Sequence, residues 1–366
     1  MPIAILKFPT DLLRDVLKQC SPFELYCLSK CSKRVRNSVK LGGEMKWKIR
    51  FWGWNEIIIY GDDWKYLFYC TKVPKHSFNI KYARRYTSMK IAKTGAVELF
   101  FYLLETFGIC IVESLKIQSG NLYKILRIAE VLIEKNMEIE KFCIGATLDQ
   151  KDVAKLMSLI SQMKITKEFE CRNRFPSNFQ YQLDKYPDNI RIYNSSWFGI
   201  NQLLNCTSSW IELRSSMLSN QDLNVFLQKW KTAGAFPNLR YLDVSSKSID
   251  NQSAILDMIP PITGIANPRN EFFPQFDENG DFIMDNGVRI YKDDGTEARL
   301  KVRLGGVLTF FVSNSDNTVV KEMIQNYDEE EYEDGASDDE ETEDEDSDDG
   351  GSEDEGADYE APDDEY

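Results

Sequence analysis

Apolar residues recur at helical spacing in three short runs near the start of the chain. Leu12, Leu13, Val16 and Leu17 form i, i+4 pairs ahead of Cys20, giving one apolar stripe on a first helix. Ser21, Pro22 and Glu24 predict a second helix, with Ser21 as N-cap, Pro22 at the first helical position and Glu24 closing a capping box. Leu25 and Leu28 share a face of it. Cys31, Val35 and Val39 repeat the spacing in a third helix, with Lys30, Lys33, Arg34, Arg36 and Lys40 on other faces. Three helices this short enclose little apolar surface, so the module gains by burying a stripe against a partner.

From about residue 99 the period changes. Ser114–Ile117, Lys141–Ile144, Glu168–Cys171, Ile190–Tyr193, Ile211–Leu213 and Leu239–Val244 each carry the apolar-x-apolar alternation of a strand. Amphipathic stretches lie between them: Leu122, Ile125, Leu126, Ala129, Leu132 and Ile133; Val153, Leu156, Met157 and Ile160; Leu223, Phe226, Leu227 and Trp230. The last is bounded by Ser219 with Asp222 as cap and by Gly234 as stop. Taking Ile117, Ile144, Cys171, Ile192, Leu213 and Val244 as markers, the strands repeat at intervals of 27, 27, 21, 21 and 31 residues. Those values scatter around the period of leucine-rich repeats. The fold class is therefore read as α/β: a three-helix module, then an irregular leucine-rich-repeat-like strand–helix solenoid whose units bury their faces only against neighbours. The alternative is a plain α/β layer without curvature. Further on, Val288–Leu300 reads as a small C-terminal β-hairpin turning at Asp294-Gly295.

Charge divides the chain. Residues 328–366 hold 24 acids and no base, and the 44 bases against the remaining 35 acids leave residues 1–327 at +9. Such a tail cannot bury enough apolar surface to fold. Residues 1–97, with 19 bases and 7 acids, are the natural electrostatic counterpart, and fold-back of the tail onto them is one expectation. Residues 64–97 hold eight of those bases and no acid: Lys65, Lys72, Lys75, Lys81, Arg84, Arg85, Lys90 and Lys93, interleaved with Tyr66, Phe68, Tyr69, Phe78, Tyr82 and Tyr86. Bases with stacking rings are the chemistry of single-strand nucleic-acid binding.

Eight cysteines show no Cys-x-x-Cys pair and no repeated spacing, which argues against a disulfide framework or a zinc site and for a reducing compartment. Ile3–Leu6 is too short for a signal peptide's apolar region, and Val97–Val112 is too short and too charged to span a bilayer. The expected location is intracellular, cytoplasmic or nuclear, with no membrane partner. His76 is the only histidine; no phosphate-binding glycine loop and no metal-ligand spacing is present. No catalytic residue, metal or cofactor is therefore assigned, and the chain is read as not an enzyme.

Phe8-Pro9-Thr10-Asp11-Leu12-Leu13, Ser21-Pro22-Phe23-Glu24-Leu25 and Cys31-Ser32-Lys33-Arg34-Val35 together resemble the F-box, in the variant of the large nematode F-box family. Trp197-Phe198-Gly199-Ile200, Trp210–Arg214, Leu218–Trp230, Phe236–Val244 and Val288–Leu300 are similar to the type-2 F-box-associated domain of the same proteins. The resemblance covers roughly residues 5–45 and 190–315. It implies a substrate-recognition subunit of an SCF-type ubiquitin ligase, docking on a Skp-type adaptor and through it on a cullin. Phe8, Pro9, Leu12, Leu13, Val16, Leu17, Leu25, Leu28 and Val35 would be the adaptor-binding residues, with contact assigned most directly to Pro9, Leu12 and Leu13. An unidentified protein substrate would meet the side chains between the apolar strand positions: Lys116, Lys141, Glu168, Glu170, Arg191, Glu212, Arg240 and Asp243. Ser337, Thr342 and Ser352, each followed by acids, are candidate phosphorylation sites for an acidophilic kinase.

The expected layout is an F-box at 5–45, an aromatic and basic connector at 46–98, a leucine-rich-like α/β receptor domain at 99–265 with its F-box-associated region from about 190, a C-terminal β segment at 266–315, and a disordered acidic tail at 316–366. Two alternatives stay open: a nucleic-acid- or chromatin-associated binding protein using residues 64–97, and an F-box protein that binds the adaptor without delivering a substrate.

Overall fold

The computed structural model describes residues 8–40, 47–52, 55–61, 64–71, 80–83, 86–92, 94–118, 120, 122–146, 156–176, 178–250, 253–257, 262–263, 287–303 and 305–313. They belong to one compact unit, residues 1–315.

Three helices open it: α1 (Thr10–Lys18), α2 (Pro22–Cys31) and α3 (Lys33–Val39). The capping box at α2 forms as its spacing predicts. The Ser21 backbone N–H donates to Glu24 Oε2 at 2.7 Å, and the Glu24 N–H donates to Ser21 Oγ at 3.3 Å. Ser32 then caps α3 through the Val35 N–H, at 3.2 Å.

The segment expected as a connector contributes five strands, β1 (Lys48–Phe51), β2 (Glu56–Gly61), β3 (Trp64–Thr71), β4 (Ile80–Ala83) and β5 (Tyr86–Ala92). Ile57, Ile59, Phe68, Met89 and Ile91 are buried, so its apolar residues line a core. Next come α4 (Ala96–Phe107), β6 (Ile111–Ile117), α5 (Leu122–Glu134), β7 (Glu138–Ile144), β8 (Lys164–Cys171), β9 (Asn189–Ile192), α6 (Ile200–Asn205), β10 (Trp210–Ser216), α7 (Asn220–Lys231) and β11 (Tyr241–Ser246). The chain closes with β12 (Ile262–Thr263), β13 (Val288–Tyr291), β14 (Glu297–Arg303) and β15 (Val307–Val312).

All fifteen strands form one sheet. Its middle runs β1-β6-β7-β8-β9-β10-β11, every neighbour parallel. From β6 onward that is chain order, the arrangement the strand–helix alternation implies. Beyond β1 the sheet continues through β2, β3, β5 and β4; beyond β11 it continues through β15 and β14. The C-terminal hairpin is thus not a separate appendage. Strand β15 pairs antiparallel along β11 and covers an edge that would otherwise present unpaired amides.

Register explains the core. Phe51, Leu115, Phe142, Phe169, Ile190, Ile211, Leu242 and Phe310 lie side by side across eight strands, all at 1% exposure or less. Ile117, Ile144, Cys171, Ile192, Leu213, Val244 and Leu308 make the adjacent row on the same face. Leu223, Phe226, Leu227 and Trp230 of α7 are buried in the same core. The unit between β8 and β9 departs from the repeat. Its chain is irregular and is held by Gln202 of α6, which donates to the Tyr181 and Trp197 carbonyls at 2.6 and 3.1 Å and accepts from the Leu183 N–H at 3.3 Å. Phe175, Phe179 and Tyr181 pack on Trp197 there, taking the place of a helix.

Candidate functional site

The helical module divides its apolar residues between two duties. Leu13, Leu17, Phe23, Leu25, Tyr26 and Val39 are buried. Phe8, Val16, Leu28 and Val35 are half-buried, while Pro9, Cys27 and Cys31 are exposed and Leu12 stands 48% exposed. Of the three residues given direct contact, Leu13 is buried: helical geometry turns Leu13 and Leu17 inward together, leaving Leu12, with half-buried Val16 at i+4, toward solvent. Leu25 is likewise packing, not surface.

The inward side of the module is seated on the sheet domain. Phe23 meets Tyr66 and Phe68 edge-on, at 5.5 and 4.9 Å between centroids, and Tyr26 meets Phe68 and Tyr102 at 5.7 and 5.9 Å. Tyr102 of α4 carries the rest of the joint. Its hydroxyl hydrogen-bonds Ser29 Oγ at 2.7 Å, and its ring lies under Lys30 Nζ at 3.7 Å and the Arg36 guanidinium at 4.3 Å. Arg36 also donates to Thr106 Oγ1 at 3.1 Å and pairs with Glu105 at 3.3 Å. Burial, and then the Arg36 charge, lower the Lys30 pKa; burial pushes the Tyr26 hydroxyl up to about 12. Nothing in the spacing singled out Tyr102.

The second surface is the sheet face opposite the core. Register places Lys116, Cys143, Glu170, Arg191, Glu212, Asp243 and Thr309 in one row and Ser114, Lys141, Glu168, Asn189, Trp210, Tyr241 and Phe311 in the next. Seven of the eight residues expected to face a substrate are therefore neighbours. Most are already committed to one another. Arg191 sits 3.3 Å from Glu168 and 4.0 Å from Glu212; Arg214 is 3.9 Å from Glu212 and 2.8 Å from Asp243; Lys141 is 3.8 Å from Glu168; Arg172 pairs with Glu170. Asp243 is wholly buried and accepts further bonds from Arg303 at 3.3 Å and Thr309 at 2.9 Å. Burial raises its carboxyl pKa, and Arg214 and Arg303 pull it back. Trp210 stacks on Tyr241 at 4.0 Å and donates its indole N–H to Glu212 at 2.7 Å. Alternating charges on parallel strands have become an internal network. Arg240 lies outside it: its guanidinium donates to the Pro237 and Leu239 carbonyls.

Of the basic segment, Lys65 and Lys90 fall on β3 and β5. Lys72, Lys75, His76, Phe78, Arg84, Arg85 and Lys93 lie outside the described residues, as do Ser337, Thr342 and Ser352 and the acidic tail. No helix among the described residues is long and apolar enough to cross a membrane.

Residues 5–42 match the F-box domain, and residues 171–244 match an F-box associated domain. The chain carries both. The first match spans α1 to α3, the surface with the exposed Leu12; the second runs from the end of β8 to β11 and takes in the charged network from Arg172 to Asp243. F-box domains bind Skp-type adaptors in SCF complexes, and both families are adaptor or receptor proteins rather than enzymes. No curated protein and no solved structure matches the chain.

Proposed function

We propose that this chain is the substrate-recognition subunit of an SCF-type ubiquitin ligase, with α1–α3 docking on a Skp-type adaptor, and thereby on a cullin, while the α/β body captures a protein substrate. The observation that carries the reading is the split within the F-box. Leu13, Leu17 and Leu25 already pack the module, yet Pro9 and Leu12 remain exposed, with Val16 half-buried beside them. Covering one leucine contributes roughly 1.5–3 kcal/mol, enough to make a small apolar face an anchor. The parallel strands in chain order support the leucine-rich-like, solenoid reading of the body, which would offer an extended surface at a fixed offset from the docked helices. Tyr102, under Lys30 and Arg36, supports that fixed offset. Affinity purification of the full-length chain tests the proposal. Adaptor and cullin should co-purify with the wild type and vanish from a Pro9→Ala/Leu12→Ala variant, while proteins held by the body remain. Loss of neither would overturn it.

A further inference from the structure

The outer face of β13 and β14 differs from the rest of the sheet. Along the middle strands Lys141, Arg191 and Arg214 each have a carboxylate close by, but here Arg289 and Arg299 are direct cross-strand partners. Like charges placed opposite one another destabilise a strand pair, so a sheet that keeps them invites a functional account. Lys301 follows Arg299 on the same face, since Ala298, Leu300 and Val302 turn inward and are buried. Among the described residues one acid approaches the group. Glu297 approaches Arg289 at 3.6 Å and Arg299 at 3.9 Å, both beyond hydrogen-bonding distance, and also accepts from the Tyr291 hydroxyl at 3.3 Å. The next acid along the sheet is Asp243, which is spent on Arg214, Arg303 and Thr309. The row beyond Arg299 continues through Phe311 and Tyr241, which bring no charge. Arg289 is 61% exposed at its side chain and Tyr291 is 49% exposed.

Backbone geometry adds direction. Among the described residues β13 pairs only with β14, and the backbone groups that alternate residues turn to its other edge have no described strand beside them. An extended peptide can add to such an edge, its alternate side chains falling on one face of the sheet.

We propose that an extended acidic segment of a protein substrate adds to the β13 edge and places carboxylates at alternate positions on Arg289, Arg299 and Lys301. The assignment rests on the substrate-receptor reading and gives it a substrate class. Arginine forks hold carboxylates in bidentate pairs, and the open strand edge favours a peptide over a nucleic acid, which has no strand to contribute.

The test uses full-length protein and a fluorescein-labelled peptide of alternating glutamate and valine, read by anisotropy, with an alternating lysine–valine peptide and a labelled oligothymidylate as comparison probes. The glutamate peptide should bind, with affinity that falls as salt shortens the Debye length. Arg289→Gln/Arg299→Gln should weaken it about tenfold or more, a difference of about 1.4 kcal/mol. Arg289→Lys/Arg299→Lys, which keeps charge but loses the fork, should weaken it less. Unaltered affinity in a folded Gln variant, equal binding of the lysine peptide, or binding of the oligonucleotide alone would each overturn the proposal. Adaptor binding by the same preparations separates the two claims. A protein that holds the adaptor but not the peptide refutes this site alone, whereas one that holds no adaptor refutes the receptor reading.

Discussion

Replacing Asp243 by alanine tests whether the charged sheet face is internal structure or an open recognition surface. The carboxylate has no exposure and accepts from Arg214 at 2.8 Å, Thr309 at 2.9 Å and Arg303 at 3.3 Å. Its removal takes the buried carboxylate from two guanidiniums placed to meet it, leaving Arg214 with Glu212 at 3.9 Å and Arg303 with Thr309 at 3.1 Å. Breaking a buried ion pair from one side costs about 3–5 kcal/mol. The side chains of Arg214 and Arg303 are 19% and 18% exposed, so water recovers part of that loss and the expected cost is near the lower end, about 3 kcal/mol. Asp243→Asn keeps the shape and an acceptor for Thr309, and should cost less. Urea unfolding followed by circular dichroism at neutral pH measures both, with an unchanged slope showing that the same surface is exposed on unfolding. A loss below about 1 kcal/mol for Asp243→Ala, the range of exposed pairs, would refute the argument that this face is a dry, self-neutralised network.

Two further outcomes follow from the joint and from charge. Tyr102→Ala removes the ring beneath Lys30 and Arg36 and the partner of Ser29; it should cost about 2–3 kcal/mol, less than a fully buried ring, and raise amide exchange in α2 and α3 while β6–β11 stay protected, so unchanged exchange in α2 and α3 would contradict the seat. Glu98 is held below the usual carboxylate range by its own backbone amide and by Arg127, which donates at 2.7 Å. A lowered carboxyl contributes stability that is present above its unfolded value and lost as pH falls through the folded one. Glu98→Gln should therefore flatten the melting-temperature profile below about pH 4.3, by less than about 1 kcal/mol because the pair is exposed; a profile identical to wild type would remove that pair from the account.

Much of the architecture could be read from periodicity. Six strand cores from Ser114 to Val244 lie on β6–β11, and the caps at Ser21 and Ser219 form because a serine three residues before an acid satisfies the helix's first amides locally. Long-range pairing was not legible. Residues 46–98 read as an aromatic and basic connector, and composition alone did not show the strand pairing in which Ile57, Ile59 and Phe68 are wholly buried. Spacing put Leu12 and Leu13 on one stripe, and only tertiary packing decides that Leu13 turns in and Leu12 out. The alternation put the candidate side chains on one face, as register shows, but pattern alone cannot tell a solvated charge from one neutralised by the next strand. Arg289 and Arg299, which the network does not absorb, become neighbours only through the register of β13 with β14.

The central claim is that the F-box face built around Leu12 docks on the adaptor while the packing beneath it holds the module together. Titration of a purified Skp-type adaptor against the full-length chain, with the melting temperature recorded for each variant, tests it most directly. Pro9→Ala/Leu12→Ala should melt close to wild type and bind the adaptor about a hundredfold more weakly, the loss of roughly 1.5–3 kcal/mol for the leucine with the proline contact added. Leu13→Ala, by contrast, should lower the melting temperature through the cavity it leaves at a buried site. Wild-type affinity in a folded Pro9→Ala/Leu12→Ala protein would contradict the account.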